Sequence, residues 1–169
     1  MKEEIFPLVD ESGLVIGQEC RSRCHDGSML LHPVVHLHLF NRLGELYLQK
    51  RSLNKDIYPG RWDTSVGGHI DLGETPGQAL TREAREELGL VGFGYQIISR
   101  HIIETQYERE YVYCFYTITE MLPQPDLDEV TEGRFWTIQE IIKNLDTNIF
   151  TPNFEYDFNT VIRQLGAER

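Results

Sequence analysis

Basic residues are scarce in this chain: 16 lysines and arginines stand against 27 aspartates and glutamates, a formal net charge of −11. An extended nucleic-acid footprint needs a basic patch, so no nucleic-acid partner is expected. The same acidic excess is compatible with a divalent-cation site, because hard cations recruit carboxylates. Cysteine is also sparse. Cys20, Cys24 and Cys114 are odd in number, fit no zinc or redox spacing, and read as buried free thiols. A reducing, cytoplasmic setting suits them. No apolar run is long enough to span a bilayer, and the opening MKEEIFPLVD has no apolar stretch of a secretion signal, so no membrane partner is expected. Internal repeats, low-complexity segments and linkers are missing too. The 169 residues are therefore expected to form one domain, residues 1–169, with a core that needs no disulfide or metal staple.

What is present is a set of short strands around a few helices. IFPLVDESGLVIGQEC reads as a hairpin turning at Asp10–Gly13, placed either to cover the edge of a sheet or to pair two subunits as a homodimer. LHPVVHLHLFNRLGELYLQKR reads as a second hairpin, turning at Asn41–Gly44. Alternation in its first strand sets Val35, Leu37 and Leu39 on one face and His32, Val34, His36 and His38 on the other. Thr75, Pro76 and Gln78 form the start of a helix that runs to Leu88 and stops at Gly89. GYQIISRHIIET and EREYVYCFYTIT read as strands, PQPDLDEVTEG as an acidic loop and RFWTI as a short strand. Thr137 and Glu140 open a second helix, and a last one follows Pro152. Without strict βαβ alternation, this predicts an α/β (α+β) fold: a mixed central sheet between helical layers, with an N-terminal β-hairpin.

Three glutamates, Glu83, Glu86 and Glu87, crowd the end of the Thr75-capped helix. At about 100° per residue they share one arc, beside an apolar stripe of Leu80, Ala84 and Leu88. Like charges at this spacing cost a few tenths of a kcal/mol per pair, and anions sit at the wrong end of the helix dipole. Such a cluster is locally disfavoured unless a cation occupies it or Arg82 and Arg85 serve as its partners on a solvated face. The surrounding spacing decides between these readings. Gly68, Glu74, Arg82, Glu83, Ala84, Glu86, Glu87, Gly89 and Leu90 fit Gly-x5-Glu-x7-Arg-Glu-U-x-Glu-Glu-x-Gly-U, U being aliphatic, with Ala84 a small departure. Seven fixed residues match by chance on the order of 10⁻⁸ per starting position.

This stretch resembles the Nudix box, the signature of hydrolases that act on a diphosphate linked to another moiety. The resemblance implies a Nudix-type α/β/α sandwich and a Mg²⁺ or Mn²⁺ cofactor held by Glu83, Glu86, Glu87 and the Gly68 carbonyl, with Arg82 bracing the carboxylates and Glu74 steadying the loop–helix junction. It also implies a carboxylate general base, for which Glu83, Glu129 and Glu132 are the choices. The similarity reaches further. From Cys24 to Glu74, and through the later strands, roughly two-thirds of the chain resembles isopentenyl-diphosphate isomerases of the same superfamily. Their metal site of three histidines and two glutamates maps onto His25, His32, His69, Glu108 and Glu110. Arg21, Lys50, Arg51 and Lys55 fall where those enzymes hold the substrate's diphosphate, a task suited to arginine forks and lysine charges. Gly67, however, stands where the isomerases carry a catalytic cysteine, and Asn153 where they carry a tryptophan.

The implied activity is metal-dependent hydrolysis of a small organic diphosphate, nucleoside-linked, on an isomerase-like frame. Isoprenoid diphosphate chemistry is the alternative, and a non-catalytic diphosphate sensor a further one. His36 and His38 are expected to be structural hydrogen-bonding residues.

Overall fold

The computed structural model describes residues 2–167. Ten consecutive buried residues form β3, Leu31–Phe40, at the centre of the sheet. It pairs in parallel with β8 (Arg109–Ile118) along its whole length and antiparallel with β6 (Val66–His69). Strand β7 (Gln96–Glu104) extends the sheet beyond β8. The alternation read in the sequence is there, with both faces covered. Val35, Leu37 and Leu39 pack against Leu80, Ala84 and Leu88 of α2 (Pro76–Leu88), while Val34 packs with Ile103, Val112 and Cys114 on the other side.

The expected second hairpin is corrected. Its turn forms, with the Gly44 N–H donating to the Asn41 carbonyl at 3.1 Å, but β3 and β4 (Leu46–Arg51) pair only at Phe40 and Leu46. Beyond that pair they diverge, because β3 spends its hydrogen bonds on β6 and β8. Strand β4 instead takes β9 (Val130–Trp136) and the short β5 (Trp62–Asp63) as neighbours. Strand β9 also starts earlier than expected. Glu132 therefore sits on a strand opposite Lys50, with an exposed side chain, rather than in the acidic loop.

Helix α2 begins at a reciprocal cap. The Gln78 amide donates to Thr75 Oγ1, the Thr75 amide donates to Gln78 Oε1, and Gly89 ends the helix at φ 63°. Helix α3 (Ile138–Asn144) has the same cap built from Thr137 and Glu140. Helix α4 (Pro152–Asp157) continues through a π turn at Phe158–Ile162 into α5 (Arg163–Ala167). Leu46, Leu48, Trp62 and Trp136 of the sheet meet Ile141, Phe150, Phe154 and Phe158 here, opposite the α2 layer. Helices thus cover both faces of a mixed sheet. The N-terminal hairpin, β1 (Ile5–Val9) with β2 (Val15–Cys20), lays Val9 on Leu31 and Tyr111. A four-residue helix, α1 (Arg21–Cys24), follows. Cys24 and Cys114 are buried free thiols, and Cys20 is a half-buried one. Among the described residues no helix is long and apolar enough to cross a membrane.

Candidate active site

Where β3 and β4 part, a cleft of about 470 Å³ opens between them, with β6 along one side and the end of α2 above it. The α2 stripe that docks on the sheet leaves the next arc of the helix over this gap. Glu83, Glu86 and Glu87 line it together with Gly68.

These carboxylates are held in different ways. Arg82 donates to both oxygens of Glu74 at 2.8 and 2.9 Å, to the His69 carbonyl at 3.0 Å and to Glu83 at 2.7 Å. Glu74 also accepts the Asp71 amide at 3.0 Å, so one guanidinium ties loop, helix start and cleft carboxylate together. Glu83 lies against Gly68 so closely that a methyl group there would overlap its carboxylate. Glu87 accepts from Gln49 Nε2 at 2.6 Å and, at 3.4 Å, from the Gly67 amide. Glu86 is half exposed and 3.4 Å from Arg82. Burial, opposed by Arg82, raises Glu83 to about 6; burial and then the Glu83 charge raise Glu87 to about 8. Two carboxylates kept above their ordinary range form a site that gains from a nearby cation. A glycine carbonyl and carboxylate oxygens are the donor set that Mg²⁺ and Mn²⁺ favour, so these residues fit such an ion.

The basic residues divide. Arg21, Arg51 and Lys55 line the cleft, each beside an acid: Arg21 with Glu4 at 3.0 Å, Arg51 with Asp63 at 3.1 Å and Lys55 with Glu129 at 2.8 Å. Lys50 does not line it; its ammonium lies 6.0 Å from the Trp62 ring. Glu129 lines the cleft and Glu132 does not.

The histidines assemble on the cleft's inner side. His25 Nε2 is 3.1 Å from His69 Nε2 and 3.2 Å from Glu108 Oε2, and His32 Nε2 is 3.9 Å from that oxygen. His32 Nδ1 donates to the Leu30 carbonyl at 2.9 Å, which turns a buried, partnerless Nε2 toward the group. Phe6 of the hairpin stacks on His69 at 4.1 Å. Burial, reinforced by Arg21, lowers His25 to about 4, and burial also lowers His32 and His69. Burial and the Glu110 charge raise Glu108 to about 9. Neutral imidazoles beside a protonated carboxyl are what burial enforces when no positive charge is supplied. The unpartnered nitrogen and the His₃–carboxylate donor set fit a divalent cation. Glu110 is not one of this group of four; it accepts from Asn153 Nδ2 at 2.7 Å.

One cluster carries no signature in the sequence. Asp157 is buried on the apolar side of α4 between Phe154 and Phe158, and its carboxylate meets His36 Nδ1 at 2.6 Å, His101 Nε2 at 2.7 Å and His38 Nε2 at 3.0 Å. These are hydrogen-bond distances, as expected of structural histidines. The acid's place among the phenylalanines of the helix hints at its burial but names none of its histidine partners.

Residues 30–156 match the family model described as NUDIX domain. The chain belongs to this family. It is 33% identical over 147 residues to an isopentenyl-diphosphate Delta-isomerase of Streptomyces griseus, covering 81% of this chain and 73% of that one. It is 45% identical over 87 residues to an uncharacterized Nudix hydrolase of Nostoc, a match spanning about half of each protein, 52%. The crystal structure of DR0079 from Deinococcus radiodurans superposes with a TM-score of 0.74 at 24% identity, covering 88% of this chain and 92% of that one, which shows that the two share a fold.

Proposed function

We propose that this Nudix-family protein is a divalent-metal-dependent hydrolase of a small, nucleoside-linked organic diphosphate. Family membership supports the class, a pyrophosphohydrolase of phosphoric anhydrides. The carrying observation is the pair of enclosed carboxylates, Glu83 and Glu87, raised above their ordinary range beside Gly68. When bound, Mg²⁺ or Mn²⁺ supplies charge for the diphosphate oxygens and acidifies a water.

The chain's own groups do the rest. Arg82 fixes Glu83, while Gln49 and the Gly67 amide fix Glu87, so the ligand oxygens are set before substrate arrives. Glu86, looser and half exposed, completes the set from the rim. Arg21, Arg51 and Lys55 receive the diphosphate, and their present acidic partners keep them in place. The attacking water gives its proton to a carboxylate lining the cleft, Glu83 or Glu129; Glu132 and Lys50 have no part in this reading. His25, His32, His69 and Glu108 would hold a second divalent cation, while Glu110 is bonded to Asn153 instead.

The match to an isomerase over most of the chain favours isoprenoid diphosphate chemistry as the second reading. Against it, Gly67 offers no side-chain proton where the isomerase resemblance calls for an acid. Phosphate release from a panel of organic diphosphates, with Mg²⁺ and with chelator, separates these readings. Chelator should abolish release, and Glu86→Gln with Glu87→Gln should lower it about a hundredfold or more. Undiminished release in the double variant would refute the assignment.

A further inference from the structure

The inner wall of the cleft is polar, and its polar groups are anchored from behind. His36, Asp63, Glu110, Thr151 and Asn153 line it. Asp157 takes the Nδ1 side of the His36 ring at 2.6 Å and is itself gripped by His38 and His101, which fixes the ring plane. Asp63 is saturated by Thr151 Oγ1 at 2.9 Å and Arg51 at 3.1 Å. Asn153 donates to Glu110 Oε2 at 2.7 Å.

His36 Nε2 lies 3.9 Å from Glu110 Oε2, an ion-pair distance beyond hydrogen-bond reach, so these bonds leave His36 Nε2, Asn153 Oδ1 and Glu110 Oε1 without a hydrogen-bond partner among the described residues, and none of the three is sealed from solvent. Their residues line the cleft. Gly67 lies opposite His36 across β3 and β6, and the nearest ring atom, Cδ2, would stand 3.9 Å from a Cβ there. No side chain at that position covers the ring edge.

We infer that this wall reads the organic part of the substrate and selects a hydroxyl- or amide-bearing group, a sugar or nucleoside, over a hydrocarbon one. The inference rests on the cleft being the diphosphate site proposed above. A hydrocarbon placed here strips water from three anchored polar atoms and returns no hydrogen bond. Sites built to hydrogen-bond a ligand reject analogues lacking the partner by up to about 10⁴-fold or more. Because Asp157 and Asn153 hold His36 and Glu110 rigidly, the wall cannot rotate its polar atoms away.

The test compares kcat/KM for a nucleoside diphosphate and for a prenyl diphosphate with Mg²⁺, together with calorimetric binding of the non-hydrolysable methylene analogue of each. The expected preference for the polar compound is about a hundredfold or more, in turnover and in binding. His36→Leu and Asn153→Leu should each lower that ratio about tenfold, mainly through KM of the polar substrate. Should His36→Leu fail to fold with Asp157 left unpaired, Asn153→Leu carries the comparison. Equal handling of the two compounds, a preference for the prenyl one, binding of neither analogue, or an unchanged ratio in the folded variants overturns the inference. Hydrolysis of both at equal efficiency would leave the hydrolase reading standing without it. Selective binding of the polar analogue with no turnover of either substrate would do the reverse.

Discussion

Asp157 illustrates how much one buried charge can organise. Its burial opposes ionisation, yet His36 first and then the other imidazole bonds hold it well below the ordinary carboxylate range. Burial likewise opposes charge on His36, but Asp157 overrides this and raises it to about 9. A depressed acid contributes stability above its unfolded pKa, near 3.8, and loses it as pH falls through the folded value. A raised histidine contributes fully below its unfolded pKa, near 6.5, and loses it as pH rises through about 9. Both contributions overlap from about pH 4 to 6.5. Asp157→Asn should therefore cost about 3 kcal/mol in that window, with the deficit narrowing as pH rises from about 6.5 to 9, as thermal unfolding across pH would report. A deficit that does not vary with pH would contradict the pairing. This cluster was illegible in the sequence, because Asp157 and His36 lie 121 positions apart and meet only through tertiary packing. The Nudix-box residues were legible for the opposite reason: one loop and one helix fix their spacing, so the pattern survives in a linear string.

Among the elements, α2 followed its local signals from Thr75 to Gly89, since caps and apolar stripe agree. The turn at Asn41–Gly44 also followed them, but the pairing beyond it did not. Ten parallel partners on β8 and four antiparallel ones on β6 outweigh the local hairpin, and the resulting split is the cleft itself. Glu132 was misplaced because an acidic run gives no strand signal, although β9 pairs with β4 through that stretch. Strand β6 must approach α2 closely, which gives Gly68 its role. In Gly68→Ala the new methyl displaces the flexible end of Glu83 rather than any backbone. Activity should fall about tenfold or more, while stability changes by less than about 1 kcal/mol. Parallel kinetics and denaturant unfolding would check this; a large stability loss with activity retained would contradict it.

At the scale of the whole molecule, an acidic protein concentrates cations-in-waiting and carboxylates in one opening. The sheet divides into a β6–β3–β8–β7 half and a β5–β4–β9 half, joined at Phe40 and Leu46. Helix α2 spans one face of the split, and the N-terminal hairpin closes the far end by stacking Phe6 on His69. These contacts seat the hairpin on the interior strands β3 and β8 and on β6. Glu83, Glu87 and the Gly68 backbone then meet at the split because helix and sheet edge are brought together there; among the described residues Arg82 is the cation that bonds Glu83, and Glu87 is bonded by neutral groups, Gln49 and the Gly67 amide. Anomalous diffraction from crystals soaked in Mn²⁺ and a non-hydrolysable organic diphosphate measures this most directly. The expected result is an anomalous peak within coordination distance of Glu83, Glu87 and the Gly68 carbonyl, in contact with a phosphoryl oxygen. A well-ordered diphosphate in the cleft with no peak beside those carboxylates would contradict it.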